Sequence, residues 1–211
     1  MTTLTYDPTV FDVKNMVEAK SVILTVEDEG ISSSDRWELE TPYLAELAET
    51  TLGITKDSLV LDYGCGIGRM ARGLIARTRC RVIGVDISSS MRALAASYTD
   101  IALFAAIPPE MMDLIPQVDA VLGIWVFQHI PYLHPALQAI KEKMKPEAKM
   151  LVVNQRVRCV PTVEHQWVDD GVSIPEALDL FFKEEQEGAL DKDCVGPSLW
   201  KSAYWRIYSA K

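Results

Sequence analysis

Apolar residues in this chain follow two patterns that alternate from residue 58 to residue 155. The first is a short unbroken run, seen at residues 58–62, 81–85, 101–105, 120–126 and 150–155. Such runs, rich in β-branched side chains, suit strands covered on both faces. The second is a longer stretch with apolar positions three or four apart, the period of a helix with one buried face. Their alternation predicts an α/β protein with a parallel sheet. End signals bound the helices. One runs from about Arg69 to Thr78. The next starts at Ser88 or Ser89, either of which can cap it, and covers residues 91–98. Another has Pro135 in its first turn and stops at Lys145, ahead of Pro146.

The flanks read differently. Thr41–Pro42 is a cap followed by proline at the first helical position, and that helix ends at Gly53. Residues 9–20 have helical spacing through Val10, Val13, Met16 and Val17. Residues 21–26 look extended, although the whole of 9–26 also fits a helix, and 27–35 is a polar loop. Downstream, residues 157–173 form a long loop, marked by Pro161 and Gly171, with Pro175 just beyond; its length suits a binding loop. Ser173-x-x-Glu176 is a capping-box pattern, with Gly188 closing that helix. Residues 203–209 alternate as a final strand does. No repeat or low-complexity tract is present.

The first core strand runs directly into Asp62–Tyr63–Gly64–Cys65–Gly66–Ile67–Gly68–Arg69. Glycines at alternate positions allow positive φ and let a ligand approach the backbone. The turn points N–H groups and a helix N-terminus at that ligand. A dinucleotide turn needs Gly-x-Gly-x-x-Gly, but counting from Gly64 or Gly66 the third position falls on Ile67 or Arg69.

The run from hydrophobic strand through Asp-x-Gly-x-Gly-x-Gly resembles the cofactor loop of the class I S-adenosylmethionine (SAM)-dependent methyltransferases. The resemblance spans residues 37–155. It implies a single-domain, Rossmann-like sheet of seven mostly parallel strands in the order 3-2-1-4-5-7-6, with helices on both faces and an antiparallel hairpin at the end. It also implies a helical cover over 1–55 and a SAM-binding core over 56–211. In such enzymes Asp62 lies near the methionine amino group, beside Gly64, Cys65, Gly66 and Gly68; Asp at such a turn also serves simply to accept turn N–H groups. Asp86, in Asp86-x-Ser88-x-x-Met91, accepts the ribose hydroxyls, or else is an acid favoured at a helix N-terminus. Ile87 and Met91 wall the adenine. Many relatives place an Asp after the third strand, whereas this chain has no acid before Glu110, so backbone at Ala106 and Ile107 is expected to read the adenine. Gly123 and Trp125 pass the methionine part.

His129 lies close to the methyl in this reading, as a general base or as a residue that orients its loop. Trp37, Tyr43, Tyr132 and His165 are the acceptor-side candidates, with edge packing as the alternative for each. Methyl transfer is an in-line displacement in which alignment supplies most of the acceleration, so few catalytic residues are needed.

Net charge is −9, which argues against a nucleic-acid substrate held by its phosphates. The acidity is uneven. Residues 1–55 carry eleven acids against three bases, and 164–193 carry ten against two, while 56–163 is net basic. Two solvated helical faces account for this; a field that disfavours anionic acceptors is the sharper reading. No stretch approaches the ~18 apolar residues of a membrane span. A secretory leader is not expected from the first residues. The four cysteines, without a Cys-x-x-Cys pair, read as reduced thiols of a cytoplasmic protein, and no metal site is expected. The expected activity is methylation of an O or N atom of a small neutral or amine acceptor, giving S-adenosylhomocysteine. The alternatives are methylation of protein or RNA, aminopropyl transfer, and SAM binding without turnover.

Overall fold

A computed structural model describes residues 5–24 and 31–211. After a 3-10 turn at Pro8–Phe11, the elements in order are α1 (Met16–Ile23), α2 (Ser33–Leu52), β1 (Leu59–Tyr63), α3 (Arg69–Thr78), β2 (Arg81–Val85), α4 (Ser89–Tyr98) and β3 (Phe104–Ile107). Then follow β4 (Val118–Ile124), α5 (Leu133–Lys143), β5 (Met144–Gln155), α6 (Ile174–Phe181), β6 (Phe182–Gly188), α7 (Lys192–Val195), α8 (Pro197–Ser202) and β7 (Ala203–Ala210). The strands form one sheet, β3-β2-β1-β4-β5-β7-β6. The first five are parallel, and β7 pairs antiparallel with both β5 and β6. This is the order and the hairpin that the resemblance implies.

The unbroken apolar runs follow from the two cores. Val60, Leu122, Leu151 and Val153 pack on one face with Leu44 and Ala48 of α2 and Leu74 of α3. Their neighbours Leu61, Val121, Met150 and Val152 pack on the other with Leu137 and Ile140 of α5 and Leu178 of α6. Successive strand residues point to opposite faces, so covering both faces removes the polar half of the alternation. A third cluster joins Ala19 and Leu24 to Trp37, to Ile67 in the glycine turn and to Met91 on α4. It fastens the N-terminal segment over the strand ends.

Several expected boundaries move. Thr41–Pro42 does not open a helix. Ser32 caps α2 nine residues earlier, in a reciprocal capping box with Asp35, and Pro42 lies inside the helix. Pro42 and Glu38, whose carbonyl loses its i+4 donor to the proline, are both exposed, so water can serve that carbonyl. Residues 33–35 are therefore helical, not loop, and 21–23 belong to α1, not to an extended segment. Of the remainder, Leu24 is a turn, residues 31–32 lie outside any helix, and residues 25–30 lie outside the described residues. The helical spacing of 9–20 is broken by Asn15, whose side chain caps α1.

Strand β3 starts at Phe104 because Asp100 holds residues 102 and 103 in a turn through its carboxylate and its carbonyl. β4 ends at Ile124, where Trp125 turns to φ 57°. α5 stops at Lys143, two residues before the expected end. β5 begins at Met144 and carries Pro146 across a register shift, where no ladder bond is required. The largest departure is 182–188. Gly188 closes a strand, not the helix that starts after the Ser173 cap, and α6 ends at Phe181. Among the described residues no helix is long and apolar enough to cross a membrane.

Candidate functional site

The carboxyl ends of β1, β2 and β4 open onto a cavity of about 260 Å³. β1 is flanked by β2 and β4, where strand order reverses, the usual ligand crevice of an open α/β sheet. The glycine turn forms its floor. Gly64 has φ 77°, and a Cβ there would stand 2.2 Å from Val126 Cγ2. Gly66 has φ 53°, and a Cβ would meet Ile23 Cδ1 at 2.9 Å. The turn is thus held between the β4 end and α1, in a conformation that side chains resist. Gly68 opens α3 without a side chain to cap it; Ala71 in the first turn donates to Asp62, while Arg69 and Met70 line the cavity.

Two carboxylates line the cavity. Asp62, at the end of β1, is buried, and its Oδ2 has no hydrogen-bond partner. Burial pushes its carboxyl up to about 7, against the pull of Arg69 and the Ala71 amide; Asp86 pushes it further. Asp86 accepts from Gly66 N at 2.8 Å and Ser88 N at 2.9 Å, one bond on each oxygen. Each oxygen keeps a lone pair for a further donor. Burial raises the Asp86 carboxyl, and these two amides oppose it. Ile87 and Met91 continue this wall, and Cys65 lines the floor with a thiol that burial pushes up.

Trp125 and His129 form the β4 side. The Nδ1 of His129 lies 2.8 Å from the Cys159 carbonyl, so it carries the proton, since a carbonyl only accepts. Nε2 then accepts from Gln128 Nε2 at 3.2 Å. Burial moves the imidazole down, towards the neutral form. Its ring packs on Phe11 and Trp167, with centroids 5.7 and 5.3 Å away.

The remaining candidates stand elsewhere. Ala106 and Ile107 end β3 behind the wall, where Ile107 O accepts from Asp86 N at 3.2 Å. Gly123 gives room to Phe127, whose Cε2 would lie 2.4 Å from a Cβ. Trp37 is buried and donates to Tyr98 Oη at 3.2 Å. Tyr43 Oη accepts from Asp191 N at 3.2 Å. Tyr132 is exposed and lines a second cavity of about 170 Å³, which shares Tyr6 and Pro131 with the first. His165 sits on the exposed loop, with its N–H donating to Thr162 Oγ1.

Sequence reasoning missed two groups. Tyr6, Phe11, Val22 and Ile23 wall the cavity from a segment more than forty residues away from the glycine turn in sequence. That segment is tied down by Asp7 N to Pro161 O at 3.0 Å and Val13 N to Ser90 Oγ at 2.9 Å. The second group is Glu40 with Arg36 and Arg69, which gather beside Trp125, a residue the sequence reading did place at the site. The Arg36–Glu40 spacing was the only available signal, and i,i+4 pairs usually read as solvent-exposed. Among the described residues no His, Cys, Asp and Glu cluster is arranged to hold a metal ion.

Residues 61–152 match a family profile described as a methyltransferase domain. No curated protein matches the chain in sequence. Solved structures share the fold at low identity. PH0226 from Pyrococcus horikoshii OT3 is 17% identical, with 96% of each chain covered and a TM-score of 0.62. The glycopeptide N-methyltransferase MtfA, in complex with sinefungin, is 13% identical over 81% of this chain and 87% of its own, with a TM-score of 0.64. The N-methyltransferase NodS from Bradyrhizobium japonicum WM9 is 13% identical over 82% and 96%, with a TM-score of 0.60.

Proposed function

We propose that the chain, whose residues 61–152 match a methyltransferase-domain profile, is a class I, SAM-dependent methyltransferase that transfers a methyl group from SAM to an oxygen or nitrogen of a small molecule. The observation that carries the proposal is the unpartnered Oδ2 of Asp62, buried at the cavity wall. A buried carboxylate oxygen without a donor is costly, and a ligand ammonium relieves that cost. The free lone pairs of Asp86 suit two vicinal hydroxyls, and the start of α3, where Arg69 and Met70 line the cavity, suits a carboxylate. Ile87 and Met91 offer an apolar wall to a flat base. These residues fit the ammonium, carboxylate, ribose and adenine of SAM.

When bound, SAM supplies a methyl group on a sulfonium, already activated for displacement. The chain's own work is then to bind, align and exclude water. Tyr6, Phe11, Val22 and Ile23 line the cavity, which supports reading the N-terminal segment as its cover. Trp125 and the glycine turn bracket the reacting end. His129 has both ring nitrogens occupied by Cys159 and Gln128, which supports an orienting role; the acceptor's proton then leaves to solvent.

The walls nearest His129 are Tyr6, Phe11, Ile130 and Pro131, all uncharged, and the flanking segments are acidic. Both features favour a neutral or amine acceptor over a polyanion, a protein or an RNA. The four unpaired thiols accord with a cytoplasmic location.

Calorimetry with SAM and S-adenosylhomocysteine, on wild type and Asp86→Ala, tests the cofactor. Micromolar binding lost in the variant is expected. A folded wild-type protein that binds neither compound overturns the reading. A screen of amines and phenols for S-adenosylhomocysteine release then tests the acceptor class.

A further inference from the structure

Glu40, on α2, is fully buried and lies behind the cavity wall. Its Oε2 accepts from Arg36 Nε at 2.9 Å and Nη2 at 2.5 Å. Its Oε1 accepts from Arg69 Nη2 at 3.1 Å and from Trp125 Nε1 at 2.7 Å. Two of these donors, Arg69 and Trp125, themselves line the cavity. One carboxylate therefore joins three parts of the fold: α2, the start of α3 and the end of β4.

Two features of this cluster call for an explanation beyond packing. Trp125 holds φ 57°, a conformation that bulky residues avoid. Its backbone N–H donates to Val153 O at 2.7 Å while its indole donates to Glu40, so it is pinned at both ends. Arg69, buried, forms its ion pair with Glu40, and its Nη1 reaches Thr41 Oγ1 at 3.4 Å. It makes no hydrogen bond to Asp62 Oδ2, although its charge acts on that carboxylate. The charges alternate in the order Arg36, Glu40, Arg69, Asp62, and the last has an oxygen to spare. Burying such a chain costs desolvation that an apolar cluster avoids, so stability alone does not account for it.

We propose that Glu40 is a positioning residue of the SAM site, which draws Arg69 and Trp125 back into the wall and so leaves Asp62 free to receive the ligand's ammonium. The inference rests on the SAM reading above. Without the Glu40 charge, Arg69 turns to the nearest remaining anion. The charged groups facing Asp62 are Arg69 from α3 and Asp86 from the end of β2, with the Ala71 amide also donating to it. Arg69 alone among them can neutralise it.

Glu40→Gln is the test, since it keeps an acceptor for the Trp125 indole and removes the charge. SAM affinity is read by calorimetry, and the Asp62 carboxyl is titrated by carbon NMR on aspartate-labelled protein. The expected result is binding weakened about tenfold or more, together with an Asp62 titration midpoint moved to lower pH. A purely structural Glu40 would lower the melting temperature and leave both readouts in place. Binding within twofold of wild type with an unmoved midpoint overturns the proposal. If Glu40→Gln does not fold, Arg36→Met with Glu40→Gln removes one buried charge of each sign and carries the same two expectations. If wild type itself does not bind SAM, the cofactor reading fails, and the Asp62 midpoint in ligand-free protein decides alone whether Glu40 controls Arg69.

Discussion

Asp62 is buried with one oxygen unpartnered, at a cost to the folded protein. Its carboxyl is raised from 3.8 to about 7 by burial. The folded state therefore holds the proton more tightly than the unfolded state, and stability falls as pH rises through that window. Asp62→Asn removes the titration. We expect the variant to match wild type near pH 4 and to gain on the order of 3 kcal/mol by pH 8, while SAM binding is lost. Thermal melts across this range check it; a variant no more stable at pH 8 than at pH 4, relative to wild type, contradicts the burial argument. His129 tests the opposite case. With both ring nitrogens bonded to the protein, His129→Asn should lower turnover less than about tenfold. A general base would cost roughly 10²–10⁴. Once an acceptor is in hand, kcat for the two proteins separates these outcomes.

Among the elements, those with local end signals were legible. Arg69–Thr78 is bounded as its spacing predicts, Ser88 caps α4, and Gly53 ends α2 in a left-handed conformation at φ 64°. The elements that depend on a partner were not. Residues 183–187, Lys-Glu-Glu-Gln-Glu, have helical propensity. They form a strand because β7 offers an open edge and because Arg206 pairs with Glu184 at 2.9 Å and Glu187 at 3.0 Å. β propensity yields to such context. A peptide of residues 173–188 lacks β7, so trifluoroethanol should draw it into a helix. Circular dichroism showing strand in the isolated peptide would mean that the segment, not its neighbour, dictates β6.

For the whole molecule, the cavity is closed by chain drawn from distant places. Thr5 O accepts from Val163 N at 2.9 Å, and Asp12 accepts from Ser88 Oγ at 3.2 Å, so residues 5–24 are tied both to the 157–173 loop and to α4. A ligand that fills the cavity therefore touches the sheet, the glycine turn and this N-terminal segment together. SAM at about a hundred times its dissociation constant should add about 2.7 kcal/mol. For a chain of this size that corresponds to a melting-temperature rise of roughly 5–10 °C. Differential scanning calorimetry with and without SAM measures it; an unmoved transition at saturating ligand would show that binding does not select the folded state.

The alternation of apolar runs and helical periods was enough to determine an α/β sheet, and the spacing of Gly64, Gly66 and Gly68 between Asp62 and α3 was enough to mark the strand end that opens onto the cavity. Both are local signals, because strand burial and turn geometry constrain the residues that adopt them. What closes and charges the site was decided only in three dimensions. Tyr6 and Phe11 reach the cavity through backbone bonds to remote loops. Glu40 becomes a buried hub because α2 packs against α3 and the end of β4. Asp62 acquires its unusual proton affinity from being desolvated. Burial and charge coupling depend on which residues the fold brings together, and no spacing along the chain encodes them.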